Sequence, residues 1–399
     1  MDERIELPPG FLAAGLACGI KADPQVADLA LFTAGRPVTA AGVFTTNRVC
    51  GAPVQVSRER VPAGEVRAVL INSGNANACT GVRGLDDARW MTSELAGELD
   101  CHPEQVLVCS TGVIGRFLPR EPLAAGIPRV AASLNDTPEA FHAAARAMMT
   151  TDTVPKQSTA EVAGSSGLLR VSGAAKGAAM IGPNMATMLA VILTDANLSP
   201  EQADRILRDA VGDSFNCISV EGHTSTSDSV ILLAGGPDPG PAVDGDDLDA
   251  VGRAVRDVCI DLARAIVADA EGAEHLVTID VTGLRTRDEA EAIARIVADD
   301  VLVKTAITGN DPNWGRIVSC CGRAGVEFDV SDLTLSINRT PIFEAGDPLD
   351  YDETALSASM RDESEVHIEL SFPFGEAAIR FWTCDLTSEY VRLNSEYTT

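Results

Sequence analysis

Hydrophobic positions along the chain follow two patterns, short β-branched runs and longer segments in which apolar residues recur every three or four positions. The short runs are typical of strands, and the first two along the chain are apolar enough to be buried. They predict strands at Glu65–Asn72, Gln105–Cys109, Leu276–Val281, His367–Phe372 and Ala377–Trp382.

Three segments carry helix signals. Thr137 is a suitable N-cap, Pro138 follows it at the first helical position, and the next residues are rich in alanine. Ser199 and Gln202 form a capping box ahead of a second amphipathic segment. Apolar residues from Leu248 to Ile266 step by three or four positions and predict a long amphipathic helix.

Strand and helix signals alternate without short repeats, which favours a mixed α/β fold. The one linker-like stretch, Gly235–Asp247, is expected to form a surface loop rather than a domain boundary. Polar turns follow several predicted elements, and such turns often carry chemistry. They are Asn72–Gly81, Ser110–Gly115, Met149–Lys156, Asp269–His275 and Gly309–Arg316.

The net charge of the chain bears on which kinds of molecule it can bind. Asp plus Glu total 58 against 31 for Lys plus Arg, giving a formal net charge of -27. Such a chain repels phosphates, so we expect no nucleic-acid binding. The amino-terminal residues "MDERIELPPG" lack a signal-peptide pattern, and no apolar run approaches membrane-spanning length. The ten cysteines include no C-x-x-C pair, so we expect free thiols in the cytoplasm and no membrane partner.

Metal and nucleotide sites are not indicated. The five histidines lie far apart and form no H-x-x-x-H pair. No G-x-G-x-x-G or G-x-x-x-x-G-K-[ST] motif occurs. The sequence therefore predicts neither a metal nor a bound cofactor.

One apolar stretch, Ala174–Leu193, contains a lysine, a Gly-Pro turn and a threonine. Its core, "AKGAAMIGPNMATMLAVILTDA", resembles the signature of the ornithine acetyltransferase family, which moves an acetyl group from N-acetylornithine to glutamate in arginine biosynthesis. The resemblance spans essentially the whole chain. It includes "GFLAAGLACGIK", "INSGNANACTG", "STGVIG", "MTTDTVPK", "SFNCISVEGHTSTSD", "VKTAITGNDPNWGRI" and "YVRLNSEYTT".

The resemblance implies self-cleavage between Ala186 and Thr187. Thr187 would then begin the second chain and act as the nucleophile. A threonine hydroxyl needs a neighbouring base, and the new α-amine, with an unperturbed pKa of about 7.7–8.0, can take its proton near pH 7. The expected products are residues 1–186 and 187–399, interleaved in one catalytic unit.

The resemblance also assigns the other site residues. Thr111 and Gly112 match the family's oxyanion element, which stabilises the charge of a tetrahedral intermediate. The matched substrate-contacting positions, besides Thr187 itself, are Thr150, Lys176, Glu271, Asn394 and Thr399. An amino acid substrate would offer a carboxylate to Lys176 and ammonium groups to Glu271.

Two stretches depart from the family pattern. Glu274 and His275 stand where Thr and Lys are common, and "VEGHTSTSD" replaces the usual "VDGDTSTND", changing positions that include Glu221 and His223. Because both stretches are expected near substrate contacts, these changes bear on substrate preference.

The favoured hypothesis is a ping-pong transacetylase with an acetyl-threonine intermediate. Whether acetyl-CoA also serves as a donor substrate stays open. A related N-terminal-threonine peptidase or amidohydrolase is the alternative enzyme class, and a non-enzymatic binding subunit is the third hypothesis. The resemblance implies an α/β fold of stacked mixed sheets flanked by helices, of the self-cleaving N-terminal-nucleophile type. It also implies a heterotetramer of two chains of each kind.

Overall fold

The computed structural model describes residues 5–165, 167–182 and 188–396. In these ranges the chain forms two mixed β-sheets flanked by helices, which confirms the predicted α/β class. The predicted cleavage position, Ala186–Thr187, and the predicted contact Thr399 lie outside the described residues.

The first sheet carries three of the predicted site residues, Thr111, Gly112 and Lys176. Its strands are β1 (Phe11–Leu16), β2 (Leu29–Phe44), β3 (Ala63–Asn75), β4 (Val106–Val113), β5 (Lys156–Gly164), β6 (Gly167–Lys176), β7 (Leu189–Thr194) and β8 (Ser229–Ala234). Their spatial order is β4–β3–β2–β8–β7–β6–β5, with β1 paired to β2. The β3–β4 and β7–β8 pairs are parallel, and the other pairs are antiparallel.

The second sheet is smaller. Its strands are β9 (Leu276–Leu284), β10 (Thr334–Ile337), β11 (Thr340–Glu344), β12 (Asp347–Pro348), β13 (Glu365–Ser371) and β14 (Ala377–Cys384). Strand β9 lies between β13, its parallel neighbour, and β14, its antiparallel neighbour. The strands predicted from the sequence in this half of the chain are therefore confirmed.

Helices cover the sheets. They are α1 (Ala52–Arg58), α2 (Gly81–Glu98), α3 (Arg120–Ala132), α4 (Pro138–Met148), α5 (Pro200–Gly212), α6 (Gly245–Ala268), α7 (Arg287–Asp299), α8 (Val301–Thr308), α9 (Trp314–Cys321), α10 (Glu353–Asp362) and α11 (Ser388–Glu396). The predicted caps are confirmed: Thr137 accepts from the Ala140 N–H, and Ser199 and Gln202 form the capping box of α5.

Helix α6 begins earlier than its apolar pattern predicted. It starts at Gly245, so Gly245–Asp247 form its first turn and do not belong to the predicted surface loop. Asp246 and Asp247 lie in that turn, where carboxylates interact favourably with the helix dipole. The helix packs against β5 and β6 of the first sheet and against β14 of the second.

The first six residues of strand β2, Leu29–Ala34, are buried on both faces. Leu29 and Leu31 pack into a core with helices α1 to α3, whereas Ala30 and Phe32 pack into another core with α4. Successive side chains of a strand point to opposite faces, so a strand covered on both sides is apolar at consecutive positions. This explains why "LALF" shows no polar alternation.

Two predicted turns are in fact partly strand. Strands β3 and β4 continue through Asn75 and Val113, because their parallel pairing runs unbroken from Ala68–Val106 to Asn75–Val113. The prediction that the turns begin at Asn72 and Ser110 was therefore wrong. Thr111 and Gly112 consequently lie within a paired strand, which fixes them more firmly than a loop would.

Candidate active site

A cavity of about 450 Å³ opens where the carboxyl ends of β3, β4 and β6 approach one another. Six of the predicted site residues line it: Thr111, Gly112, Thr150, Lys176, Glu271 and Asn394. They come from distant parts of the sequence, so the fold brings them together. A groove of about 720 Å³ lies elsewhere, beside α5 and α6, but its arginines are exposed and several are ion-paired, as Arg208 is with Asp204.

Lys176 and Thr111 are in direct contact inside the cavity. The Lys176 Nζ donates a hydrogen bond of 3.1 Å to the Thr111 Oγ1, and both residues are only 2% exposed. Burial lowers the pKa of Lys176 from its usual value, although the Asp152 carboxylate opposes this effect. Because the ammonium occupies the acceptor side of the hydroxyl, the Thr111 O–H is left to donate elsewhere.

The backbone conformation and the close packing at position 112 both require glycine. Its φ is +122°, in the region that favours glycine. A Cβ at this position would lie 2.4 Å from the carbonyl carbon of Gly74 on the neighbouring strand. A larger residue would therefore push β3 and β4 apart and displace Thr111.

Asp152 lies behind the cavity lining, where it binds the backbone beside Thr150 and Lys176, and the sequence analysis did not single it out. Its Oδ1 accepts from the Gly177 N–H at 2.6 Å, and its Oδ2 accepts from the Thr150 N–H at 3.0 Å. Burial alone would raise the pKa of Asp152, but Lys176, Lys156 and the Gly177 N–H hold it at about 2. The carboxylate thus ties the segment containing Thr150 to the end of β6, beside Lys176.

Lys156→Met should destabilise the fold by about 3–5 kcal/mol, since it removes the buried ammonium that Asp152 and Asp269 share. The Lys156 Nζ donates to Asp152 at 2.7 Å and to Asp269 at 2.6 Å, and the side chain is 1% exposed. Urea unfolding at pH 7 measures the effect. The matched control is Arg208→Met, which removes an exposed ion pair worth about 1 kcal/mol or less. Equal losses in the two variants would contradict the prediction.

The pH dependence has a defined sign. The pKa of Asp152 is depressed in the folded state, so its contribution to stability is present above the unfolded value of about 3.9. It is lost as the pH falls toward about 2. The wild-type protein should therefore lose more stability than Lys156→Met over this range.

A second carboxylate that the sequence analysis missed, Asp28, holds another wall. It accepts hydrogen bonds from the backbone N–H groups of Cys18, Gly19, Ile20 and Lys21 at 2.6–3.1 Å. Ile20 and Lys21 line the cavity. Burial lowers the pKa of Lys21 to about 8, and its ammonium donates to the carbonyls of Ala27 and Met149.

Glu271 and Asn394 add polar groups to the lining of the cavity. The Asn394 Nδ2 donates to the Glu271 Oε2 at 2.8 Å, which brings α11 against the cavity. The Glu271 N–H donates to the carbonyl of Ala178, close to the end of β6. The cavity therefore presents an ammonium from Lys176 and a carboxylate from Glu271, charges that complement those of an amino acid.

Among the residues that depart from the family pattern, Ser227 lines this cavity, whereas Glu221, His223, Glu274 and His275 do not. His275 is buried and its Nδ1 lies 3.1 Å from the Asp385 Oδ2, while the Glu274 N–H donates to the Asp385 Oδ1. The Glu221 Oε1 accepts from the Ile181 N–H at 2.5 Å. These contacts are with the protein's own backbone and side chains.

All ten cysteines are free thiols. Within the ranges that the structure covers, no group of three or more His, Cys, Asp or Glu side chains is arranged to hold a metal ion. None of the described helices combines the length and apolar character needed to cross a membrane.

Comparison with known proteins gives consistent matches. The ArgJ family matches residues 12–399. An arginine biosynthesis bifunctional protein ArgJ from Rhodopirellula baltica is 44% identical over 396 residues, covering 98% of this chain and 96% of that protein. The protein of the same name from Dehalococcoides mccartyi is 41% identical, with coverages of 100% and 98%. An ornithine acetyltransferase from Mycobacterium tuberculosis, solved with ornithine, is 41% identical over 45% of this chain and 96% of its own, with a TM-score of 0.43.

Proposed function

Because the chain belongs to the ArgJ family, we propose that it transfers the acetyl group of N2-acetyl-L-ornithine to L-glutamate in arginine biosynthesis. The observation that carries this proposal is the convergence of Thr111, Lys176, Glu271 and Asn394 on one cavity. The cavity combines a hydroxyl donor for an oxyanion with opposite charges for an amino acid.

The proposed nucleophile is Thr187, made amino-terminal by cleavage after Ala186. Its sequence position supports this role, since Leu189, two residues later, pairs directly with Lys176. The Thr187 hydroxyl attacks the acetyl carbon while its α-amine accepts the hydroxyl proton. The C–N bond of acetylornithine then breaks, and ornithine leaves with that proton. Glutamate reverses these steps, taking the acetyl group as N-acetylglutamate.

Thr111 and Gly112 are the proposed oxyanion donors. The Thr111 O–H is directed away from Lys176 by the hydrogen bond it accepts, and so can donate to the developing negative charge. Lys176 would pair with the substrate carboxylate, and Glu271 with an ammonium group. Thr150, Asn394 and Thr399 complete the proposed contacts. The exchange of one amide for another needs no cofactor, and acetyl-CoA would enter only as a second donor.

Cleavage would leave two chains, 1–186 and 187–399, in one unit. Strand β6, before the cut, pairs with β7 after it, and β2 pairs with β8. These backbone ladders would hold the fragments together in the absence of a covalent link. We propose that two such units form the heterotetramer. Sedimentation of the cleaved protein would then give about twice the mass of one uncut chain.

The acetyl-enzyme itself is the decisive test. Incubating the protein with N-acetylornithine alone should add one acetyl group to the fragment that begins at Thr187, and glutamate should remove it. Double-reciprocal plots should be parallel, because donor and acceptor need never be bound together. Intact mass spectrometry and initial rates measure both properties.

The outcomes separate the alternatives. Intersecting plots with no acetylated fragment would favour direct transfer in a ternary complex. Rapid loss of the acetyl group to water, or release of amino acids from short peptides, would favour the amidohydrolase class. Acetylation of a fragment that starts at another residue would remove Thr187 from the proposed role.

A further inference from the structure

The chain just before the proposed cut is held by one short segment. The Ile181 carbonyl accepts backbone N–H groups from Val220 at 2.8 Å, Glu221 at 3.3 Å and Gly222 at 3.2 Å. In return, the Ile181 N–H donates to the Glu221 Oε1 at 2.5 Å. Both polar groups of the Ile181 backbone are therefore satisfied by Val220–Gly222.

Close packing reinforces these bonds. A Cβ on Gly182 would lie 2.5 Å from the carbonyl carbon of Gly222, so the two backbones are in contact. Gly222 has a φ of +75°, which a residue with a side chain rarely adopts. The backbone immediately upstream of residues 183–187 is thus fixed in position.

The chain just after the proposed cut is held by the end of the same segment. Asp228 is fully buried, and its Oδ1 accepts from the Met188 N–H at 3.2 Å. Its own carbonyl accepts from the Thr45 N–H at 3.0 Å, and the following Ser229 N–H donates to the Met188 carbonyl. The Met188 nitrogen is covalently bonded to the carbonyl carbon of Thr187, so Asp228 fixes the atom next to the proposed nucleophile.

We propose that Ser219–Asp228, the clamp segment, positions the backbone on both sides of the cut, with Glu221 acting during self-cleavage and Asp228 acting throughout the reaction. This inference rests on the proposed role of Thr187. After cleavage, Ile181 belongs to the upstream fragment, so the Glu221 contact no longer bears on the nucleophile. Met188 and Asp228 belong to the same downstream fragment, so their contact persists.

Burial raises the pKa of both acids, which favours their neutral forms. For Asp228 the pKa lies well above its usual value, with the hydrogen bond from the Met188 N–H as the largest opposing effect and the Lys176 charge a smaller one. Burial raises the pKa of Glu221 to about 8, with Ile181 N–H and Lys304 opposing and Glu271 and Asp299 adding to the rise. A neutral carboxyl accepts a hydrogen bond as a side-chain amide does, so Asn and Gln should replace these residues.

The experiment follows self-cleavage and acetyl transfer separately in four variants. Glu221→Ala should slow self-cleavage about tenfold or more, the effect of leaving a buried amide unpaired, yet the cleaved enzyme should keep its kcat within about twofold. Asp228→Ala should slow both reactions about tenfold or more, with the KM for acetylornithine nearly unchanged. Glu221→Gln and Asp228→Asn should stay within about threefold of wild type.

Controls separate positioning from general damage. Asp87→Ala removes another fully buried carboxylate that does not line the cavity, and should lower stability without slowing either reaction comparably. If Asp228→Ala does not fold, Asp228→Leu removes the acceptor and keeps the branched four-atom shape of the side chain. Because an acid with a raised pKa costs stability above its unfolded pKa, Asp228→Asn should be at least as stable as wild type at pH 8.

Each failure has its own meaning. A wild-type chain that is not cut before Thr187 overturns the proposed function. A wild type that is cut and acetylated, with Asp228→Ala turning over at the same rate, overturns the clamp alone. The clamp proposal is also overturned if Asp228→Asn and Asp228→Ala slow the two reactions equally. A lowered kcat in fully cleaved Glu221→Ala overturns it as well.

Discussion

Thr187→Ala should remain a single uncut chain and lose acetyl transfer by about 10⁴-fold or more, the scale seen when a covalent nucleophile is removed. The variant lacks both the attacking oxygen for self-cleavage and the acceptor of the acetyl group. Denaturing mass spectrometry shows whether one or two fragments are present, and a coupled assay for N-acetylglutamate gives the rate.

Thr187→Ser is the matched control, because it keeps a hydroxyl and loses only a methyl group. It should still cleave before residue 187, more slowly, and retain measurable transfer. Two fragments in the Thr187→Ala variant, with the second beginning elsewhere, would show that another residue performs the cut.

Thr111→Ala should lower the rate of acetylation about 10²–10³-fold, as loss of one oxyanion donor typically does. The fold should survive, because β4 is held by its ladder with β3 along eight residue pairs. Substrate affinity should change little, since the donor acts on charge that develops in the transition state. Single-turnover acetylation of the Thr187 fragment, followed by mass, isolates this step.

Two further variants are controls for this prediction. Thr111→Ser restores the hydroxyl and should recover most of the rate. Ser73→Ala removes the hydroxyl directly beside Thr111 in the parallel register, one that donates to the Ala147 carbonyl and does not line the cavity. Its rate should stay near wild type. Full activity in Thr111→Ala would exclude Thr111 from the oxyanion site.

Local signals predicted much of the fold. The cap at Thr137 and the capping box of Ser199 and Gln202 appear in the structure because such caps depend on residues three positions apart. The ends of β3 and β4 were placed too early, since Asn72 and Ser110 are common turn residues. Their strand conformation comes from pairing between distant parts of the chain, which a single sequence does not display.

The site residues, too, were only partly identified from the sequence. The resemblance identified the residues that line the cavity, but not the carboxylates behind them. Asp28 and Asp152 bind backbone N–H groups, and nothing in their spacing distinguishes them from surface acids. Their roles depend on burial and on partners such as Lys156, so the folded structure was needed to find them.

The departures from the family pattern also acquire a different interpretation. His275 was expected near the substrate, but it lies against Asp385, immediately after the end of β14. Leu276, the next residue, pairs with Cys384 on that strand, which brings the two side chains together. Glu221 bonds to Ile181 rather than facing the cavity. The Glu221 and His275 substitutions therefore act on the scaffold, whereas Ser227 lines the cavity.

The pairing of β6 with β7 across the proposed cut sets an order of events. The register of Lys176 opposite Leu189 must form while the two strands still belong to one chain, because separate chains would first have to find each other. Cleavage before Thr187 therefore requires that the chain has already folded. A nascent or misfolded chain has no free amine at Thr187 and stays inactive. In the proposed cycle, therefore, only molecules that have folded become active enzyme.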